Sequence, residues 1–327
     1  AFRALRHRDY ALFWGAALVS NTGSWLQTLA VPYVLLQITG SPFWVGMFLV
    51  ARGSANFLAA PFGGMVADRY NLRVTLFITQ AGMAAAAFGL FVTWVFGTDN
   101  PVLILAWVAL SGAFQGFNQP SYQSLMQFLV PRADLPSAVS LNSLSFNGAR
   151  TVGPALAGVI IATLGADWAF LLNSVSFVGV LIVLPLLRLL PRTTARAGGN
   201  VVRNLVSAAR YSARVPGIRL GMVIFVMAGI LGNPVIGLTA VFASDIWESG
   251  PTGLGWINLA FGIGAIVGAP LLTGWENVLT RSRLTRIGMP LYGLMIAAFA
   301  LAPNLGLGCL AFFLCGLGFL GVNTVAN

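Results

Sequence analysis

Ten long apolar segments, separated by short polar stretches, constrain this chain more than any other feature of its sequence. They run over residues 10–38, 43–67, 74–97, 101–130, 137–164, 167–190, 218–247, 253–278, 285–303 and 305–327. Each is long enough to cross roughly 30 Å of hydrocarbon as an α-helix. Only 8% of the residues are charged, against roughly 25% in soluble domains. The sequence therefore predicts an all-α protein with ten membrane spans.

The arginines lie on one side of these predicted spans. The chain has 18 arginines and no lysine; Arg52 and Arg150 lie deep inside spans, and the other sixteen lie before span one or in and around the connections that follow even-numbered spans. The loops after odd-numbered spans hold acids instead, namely Asp99, Asp167, Asp245 and Glu248. Because cytoplasmic loops carry the positive charge, the N-terminus is predicted to be cytoplasmic. A composition rich in Ala, Gly and Arg without Lys indicates a GC-rich bacterial source, and the location we expect is therefore the inner membrane of a bacterium.

The segment 191–217 is the longest predicted connection and divides the chain into three parts. Residues 1–190 form a bundle of six spans, 191–217 a cytoplasmic linker, and 218–327 a second bundle of four spans. Within the linker, residues 201–214 predict an amphipathic helix with Arg203, Arg210 and Arg214 on one face. This helix is suited to an anionic lipid surface, and a solvated linker helix is the alternative.

An internal repeat relates the two bundles. Shifting span two by 209 residues onto span eight aligns Gly46 with Gly255, Ala51 with Ala260, Gly53 with Gly262, and Ala60-Pro61 with Ala269-Pro270. A weaker repeat relates spans four and ten, where Phe114, Gly116 and Asn118 align with Phe319, Gly321 and Asn323 at a shift of 205. The repeat predicts two pseudo-symmetric bundles in the same orientation. Since the second bundle has only four spans, we expect ten of a total of twelve helices here.

The polar turn between spans two and three contains one acid and two arginines. Gly64 is expected to let two helices pack closely, and Asp68 to cap the start of span three. The spacing of Gly64, Asp68, Arg69 and Arg73 resembles the Gly-x-x-x-Asp-Arg-x-Gly-x-Arg motif of major facilitator superfamily transporters. Asn71 replaces the second glycine, and asparagine also tolerates left-handed backbone geometry. The resemblance implies a gating motif, and an ordinary charged turn is the alternative.

Span five carries a second motif, from Gly148 to Gly158. Its Gly153, Pro154 and Gly158 resemble the Gly-Pro-x-x-Gly-Gly antiporter motif of exporters in the same superfamily, and Arg150 lies just before it. In that family the motif marks proton-coupled efflux, and a packing face of small residues is the alternative.

Further stretches resemble one branch of the superfamily, the enterobactin-exporter-like and macrolide-efflux-like proteins. These stretches are Phe2–Tyr10 with Phe13-Trp14, Asn118–Pro120, Val130–Pro136 and Leu141–Ser143. The resemblance covers the whole chain, implies a fold of two helical bundles and does not specify the substrate.

Two features bear on transport chemistry within the predicted spans. Arg52 and Arg150 each need a water-lined or paired site, because a charge inside a membrane costs at least about 2.5 kcal/mol. They could contact a substrate anion, act in gating, or be structural. No span centre carries an acid, so the group that couples protons could be Asp68, Asp245, Glu276 or one outside this sequence.

In the family fold, spans one, four, seven and ten line the central cavity. The resemblance places the polar and aromatic candidates for substrate contact on these spans: Asn21, Trp25, Gln115, Asn118, Gln119, Tyr122, Asn233 and Asn323. Amides and aromatic rings together suit a bulky amphipathic solute. Hydrogen bonding between helices is the alternative for each of them.

These features predict a secondary active transporter of the lipid bilayer. We expect it to export a hydrophobic or amphipathic small molecule, such as a drug, a macrolide or a siderophore, by alternating access with proton antiport. An importer, or a non-transporting receptor or assembly subunit, is the alternative. With one histidine, two cysteines and no lysine, the chain offers little for catalysis, a metal site or a lysine-bound cofactor, so we expect no enzyme, metal or cofactor. The basic charge is explained by the membrane, and no nucleic acid is expected.

Overall fold

The computed structural model describes residues 2–189, 237–275 and 281–326, together with residues 207, 210, 211, 214, 215 and 219. The long helices within this part are α1 Arg8–Thr39, α2 Pro42–Arg69, α3 Leu72–Val95, α4 Pro101–Met126, α5 Leu135–Thr163, α6 Ala166–Leu186, α7 Gly237–Ile246, α8 Gly250–Trp275, α9 Arg281–Ala300 and α10 Leu305–Ala326. Short 3₁₀ helices at Arg3–Arg6 and Arg132–Asp134 precede α1 and α5. Most of the predicted linker helix, and Asn233, lie outside the described residues.

The described helices coincide with the predicted apolar segments to within a few residues at most ends. Five described segments are long and apolar enough to cross a membrane, namely α2, α3, α4, α6 and residues Gly250–Gly268 of α8. This criterion uses length and composition alone, so the number of ten spans stays a prediction. The all-α class is confirmed for the described part of the chain.

Local sequence explains where several helices begin and end. The Asn100 side chain caps α4 by accepting hydrogen bonds from the backbone N–H groups of Val102 and Leu103, at 3.0 and 3.3 Å. Gly40 caps the C-terminal end of α1. Its φ of +60° is left-handed, and its N–H donates to the Leu36 carbonyl at 2.8 Å. Glycine adopts this conformation without steric cost, so it suits the C-terminal end of a helix.

Two expectations about the turn between α2 and α3 were wrong. Asp68 does not cap α3, because it lies in the last turn of α2; the cap is Asn71, whose side chain accepts from the Arg73 N–H at 3.0 Å. Asn71 has a φ of −69°, so its tolerance of left-handed geometry is not used. The close helix approach occurs at Gly63, where an added Cβ would overlap the Gly116 backbone of α4, whereas Gly64 has no heavy atom within 4 Å.

The two bundles pack their equivalent helices in the same way. In the first bundle α2 packs on α4, and a Cβ added to Gly112 would lie 2.6 Å from the Arg52 carbonyl oxygen. In the second bundle α8 packs on α10, and a Cβ added to Gly316 would overlap the Phe261 carbonyl oxygen. Arg52 and Phe261 are equivalent under the 209-residue shift. Small residues allow this contact because they let helix backbones approach closely.

The two bundles meet at one end of the molecule. One buried cluster combines the second part of α1, including Val31, with Phe48 of α2 and with Leu254 and Phe261 of α8. This end lies opposite the arginine-rich loops, where α1 and α5 end and α8 begins. A second cluster, near the arginine-rich end, contains Tyr10, Leu76 and other residues of the first bundle. The contact between the bundles is therefore built at the end that carries the acidic loops.

The N-terminal segment lies against the start of α5. The Ala4 N–H donates to Ser137 Oγ at 3.1 Å, and the Tyr10 hydroxyl donates to the Ala138 carbonyl at 2.8 Å. His7 Nε2 lies 2.8 Å from Asp134 Oδ2. The hydrogen bond with His7, together with the positive charges of the N-terminal segment, lowers the pKa of Asp134. The opening residues therefore serve to anchor α1 on α5.

Candidate functional site

A cavity of about 470 Å³ lies within the first bundle, between its middle and its arginine-rich end. Five helices supply its lining: α1, α3, α4, α5 and α6. The lining residues are Ala17, Ser20, Asn21, Ser24, Gln80, Met83, Gln115, Asn118, Gln119, Tyr122, Asn142, Ser143, Phe146, Asn147, Arg150 and Phe177. Amides, hydroxyls and aromatic rings dominate this list, and Arg150 is its one charged side chain.

The structure brings most of the predicted cavity residues together. Five of the predicted contacts line the cavity, namely Asn21, Gln115, Asn118, Gln119 and Tyr122. Trp25 is not among the lining residues and packs beside Arg150. Asn233 lies outside the described residues. Asn323 lies near the end of α10, in a part of that helix where only the backbone is described.

The sequence analysis named Arg150 of α5 but missed the other cavity-lining residues of α5 and those of α3. Asn142, Phe146 and Arg150 are spaced four residues apart, so they share one face of α5, and Asn147 lies beside them. The four-residue spacing of these side chains is a signal in the sequence. The family resemblance instead placed the cavity lining on spans one, four, seven and ten. Gln80 of α3 has no comparable signal, because a lone glutamine in an apolar span does not reveal which way it faces.

Some of the lining side chains are held by hydrogen bonds between helices, and others stay exposed to the cavity. Asn118 is 4% exposed, and its Nδ2 donates to Thr79 Oγ1 of α3 at 2.9 Å, so it acts mainly as a bond between helices. The Tyr122 hydroxyl donates to Asn142 Oδ1 at 3.1 Å and joins α4 to α5. Gln119 is exposed and accepts a longer bond of 3.3 Å from Gln115 Nε2. Gln119 can therefore exchange this contact for a solute at little cost.

Arg150 lies between two aromatic rings from different helices. Its guanidinium carbon is 5.5 Å from the Trp25 ring centre and 5.3 Å from the Phe261 ring centre. These distances fall within the range of cation–π attraction. Trp25 belongs to α1 of the first bundle and Phe261 to α8 of the second. Arg150 therefore contacts both the cavity and the junction between the bundles.

Arg52, the second arginine within a predicted span, lies on α2. Its Nη1 donates to Thr28 Oγ1 of α1. It lines a recess of about 20 Å³ that shares Ser24 and Gln115 with the main cavity. The recess has room for about one water molecule. The charge of Arg52 is therefore solvated mainly by the hydroxyl and amide groups around it.

The antiporter-like motif is a site of close backbone packing. A Cβ added to Gly153 would lie 2.5 Å from Trp25 Cβ, and one added to Gly158 would overlap the Gly255 backbone of α8. Pro154 lies inside α5 between them. The motif therefore sets how closely α5 approaches α1 and α8.

The predicted gating motif lies at the opposite, arginine-rich end of α2. Asp68 and Arg69 are exposed in the last turn of this helix. Arg73, in the first turn of α3, donates from Nη2 to the Leu187 carbonyl just beyond α6. The motif therefore connects α2, α3 and the end of α6 in this structure.

The architecture is that of a major facilitator superfamily transporter. A bacterial homologue of the human lysosomal transporter Spinster, in an inward-facing and unoccupied conformation, superimposes with a TM-score of 0.68 at 12% identity, over 96% of this chain and 74% of that chain. A D-xylose–proton symporter superimposes with a TM-score of 0.64 at 17% identity, over 97% of this chain and 79% of that chain. At such low identity these likenesses establish the fold and not the function.

The sequence matches the transmembrane secretion effector family over residues 1–327, and the chain belongs to this family of the major facilitator superfamily. It is similar to the enterobactin exporter EntS of Citrobacter koseri, at 25% identity over 315 residues that cover 94% of this chain and 74% of that protein. It is also similar to the uncharacterised MFS-type transporter YfiS of Bacillus subtilis, at 23% identity over 92% of this chain and 73% of that protein. The chain is thus a multi-pass membrane transporter and not an enzyme.

Proposed function

We propose that this chain exports an amphipathic small molecule across a bacterial inner membrane by alternating access, driven by the proton gradient. The observation that carries the proposal is the cavity of about 470 Å³, lined by amides and aromatic rings beside the junction of the bundles. Such a lining provides apolar contact and a few hydrogen bonds, which suits a bulky amphipathic solute. The similarity to enterobactin exporters supports export rather than uptake.

The arrangement of the bundles supports an inward-facing state. The junction holds Gly158 against Gly255 and Arg150 against Phe261, at the end opposite the arginine-rich loops. If the arginine-rich loops are cytoplasmic, this end faces the periplasm and is closed. The cavity, which lies toward the other end, would then receive its solute from the cytoplasm. Separation of α5 from α8 would release the solute outside.

Proton coupling requires a titratable group, and its position is part of the proposal. The described cavity contains no acid among its lining residues. We therefore assign the coupling group to one of the acids near the ends of spans, namely Asp68, Asp245 or Glu276, or to a group outside this sequence. In this scheme protonation would act on the contacts that close one end, rather than on the solute directly.

The test is an accumulation assay with the full-length protein in a bacterial host that lacks its major efflux pumps. Cells are loaded with dyes, macrolides and catechol siderophores, with and without a protonophore. Lower accumulation of one compound, abolished by the protonophore, is the expected result. Higher accumulation would instead indicate uptake. No change for any compound, with the protein correctly inserted, would favour the receptor or assembly role and contradict the proposal.

A further inference from the structure

We propose that the cavity selects solutes that carry a negative charge, and that Arg150 is the residue that recognises this charge. The inference deepens the proposed export function and rests on the same cavity. It concerns the charge of the substrate, which the amide and aromatic lining alone does not specify.

The charge of the described cavity lining favours an anion. Arg150 is the one charged side chain among its described lining residues. Helix α8, which brings Phe261 of the second bundle beside Arg150, contains no Asp or Glu in its sequence. A site whose described lining holds one cation and no acid attracts an anion and repels a cation, and both effects grow where water is excluded.

The guanidinium group of Arg150 is oriented by two aromatic rings. The ring centres of Trp25 and Phe261 lie 5.5 and 5.3 Å from its central carbon, so the two rings cover part of the guanidinium group. Cation–π contact orients a guanidinium without neutralising its charge. The planar group can still present N–H donors at its edge, in the fork that matches a carboxylate or a phenolate.

The neighbours of Arg150 on α5 add hydrogen-bonding groups and an aromatic ring to the same site. Asn147, Phe146 and Asn142 line the cavity on the same helix, within two turns of Arg150. Two amides and a ring next to a cation provide hydrogen bonds, apolar contact and charge to one bound molecule. This combination suits an aromatic or amphipathic organic anion better than an inorganic ion, which would need a smaller and more polar site.

Binding of an anion at Arg150 would also affect the junction between the bundles. Phe261 belongs to the second bundle, so its contact with Arg150 crosses the junction. An anion bound at Arg150 would compete with Phe261 for the guanidinium group. The state in which α5 and α8 separate would then be favoured more by an anion than by a cation or a neutral molecule of the same shape.

The test uses two xanthene dyes of similar shape and opposite charge, fluorescein and rhodamine 6G. Binding to the purified full-length protein is measured by fluorescence anisotropy, and export is measured separately in proteoliposomes. The variants are Arg150→Gln and Arg150→Lys, with Arg132→Gln as the matched control because Arg132 is an exposed arginine of the α4–α5 loop. Each variant is checked for a monodisperse elution profile, and Arg150→Lys keeps the charge if Arg150→Gln fails to fold.

We expect the wild type and Arg132→Gln to bind fluorescein at least about tenfold more tightly than rhodamine 6G, as one charge-assisted hydrogen bond allows. Arg150→Gln should lose this preference, and Arg150→Lys should keep part of it. Equal binding of the two dyes by the wild type, no binding of fluorescein, or an unchanged preference in Arg150→Gln would overturn the inference. Binding with the expected preference but without export would support the inference and contradict the proposed function, so the two failures are distinct.

Discussion

Gly158 of α5 and Gly255 of α8 bring the backbones of the two bundles into contact: a Cβ atom on Gly255 would lie 3.1 Å from the Gly158 Cα. The contact lies in the antiporter-like motif, at the end where the bundles join. In the proposed alternating-access cycle this contact has to form and break in each round of transport. Backbone contact suits this requirement, because it packs closely without interlocking side chains.

Replacing Gly158 with Ala should impair the closed junction. The new Cβ would overlap the Gly255 backbone, and overpacking of this kind costs about 1–3 kcal/mol. We expect export to fall at least tenfold in proteoliposomes, and a cysteine label placed at the end of α5 to react faster. The control is Gly148→Ala on the same helix, where an added Cβ meets no heavy atom within 4 Å. Equal loss of export in both variants would show that the contact with Gly255 is not the cause.

Replacing Asp68 with Asn should reduce turnover at least tenfold and leave folding largely intact. Asp68 is exposed in the last turn of α2, where the helix dipole disfavours a negative charge. The helix dipole gives no support to a carboxylate at this position, and we expect Asp68 to act in the transport cycle as the resemblance to the gating motif implies. Export and the thermal unfolding temperature should be compared with those of Asp99→Asn, an exposed loop acid at the other end. Full export by Asp68→Asn would remove the gating role.

Asn118 and Gln119 should respond differently to substitution, although they are neighbours on α4. Asn118→Ala removes the buried bond to Thr79, so the protein should lose about 0.6–1.7 kcal/mol of stability. Gln119→Ala removes an exposed amide from the cavity wall, so solute affinity should change while the unfolding temperature does not. Unfolding in detergent and dye binding measure the two effects. The distinction fails if both variants lose stability equally.

The anchor between Asp134 and the N-terminal segment should weaken in acid. The pKa of Asp134 is lowered in the folded protein, mainly by the hydrogen bond with His7 and also by Arg3. A lowered carboxyl pKa contributes stability that is full above its ordinary value near 4 and is lost as the pH falls through the lowered value. Hydrogen exchange of residues 2–9, corrected for intrinsic rates, should therefore rise below about pH 4. Asp134→Asn should exchange faster at pH 6 and lose this pH dependence, whereas Asp99→Asn should keep it.

The sequence by itself determined the helices and the family. A continuous run of about 20 apolar residues satisfies its backbone groups in a membrane by forming a helix, so the helix bounds agree with the predicted segments. The 209-residue repeat likewise has a structural counterpart, since Arg52 and Phe261 receive equivalent glycine contacts in the two bundles. Both the helices and the repeat can be predicted because they depend on the order of residues along the chain.

Only the tertiary structure decided which side chains face one another. Adjacent glycines point about 100° apart on a helix, so Gly63 and Gly64 are alike in sequence, and only the position of α4 makes Gly63 the contact. The same holds for the capping by Asn71 in place of Asp68, and for Gln80 in the cavity wall. The pairing of Arg150 with Phe261, 111 positions further along the chain, depends on how the two bundles dock. In an apolar chain many arrangements of the two bundles bury a similar area of apolar surface. The hydrophobic pattern therefore does not select one arrangement, and close packing does.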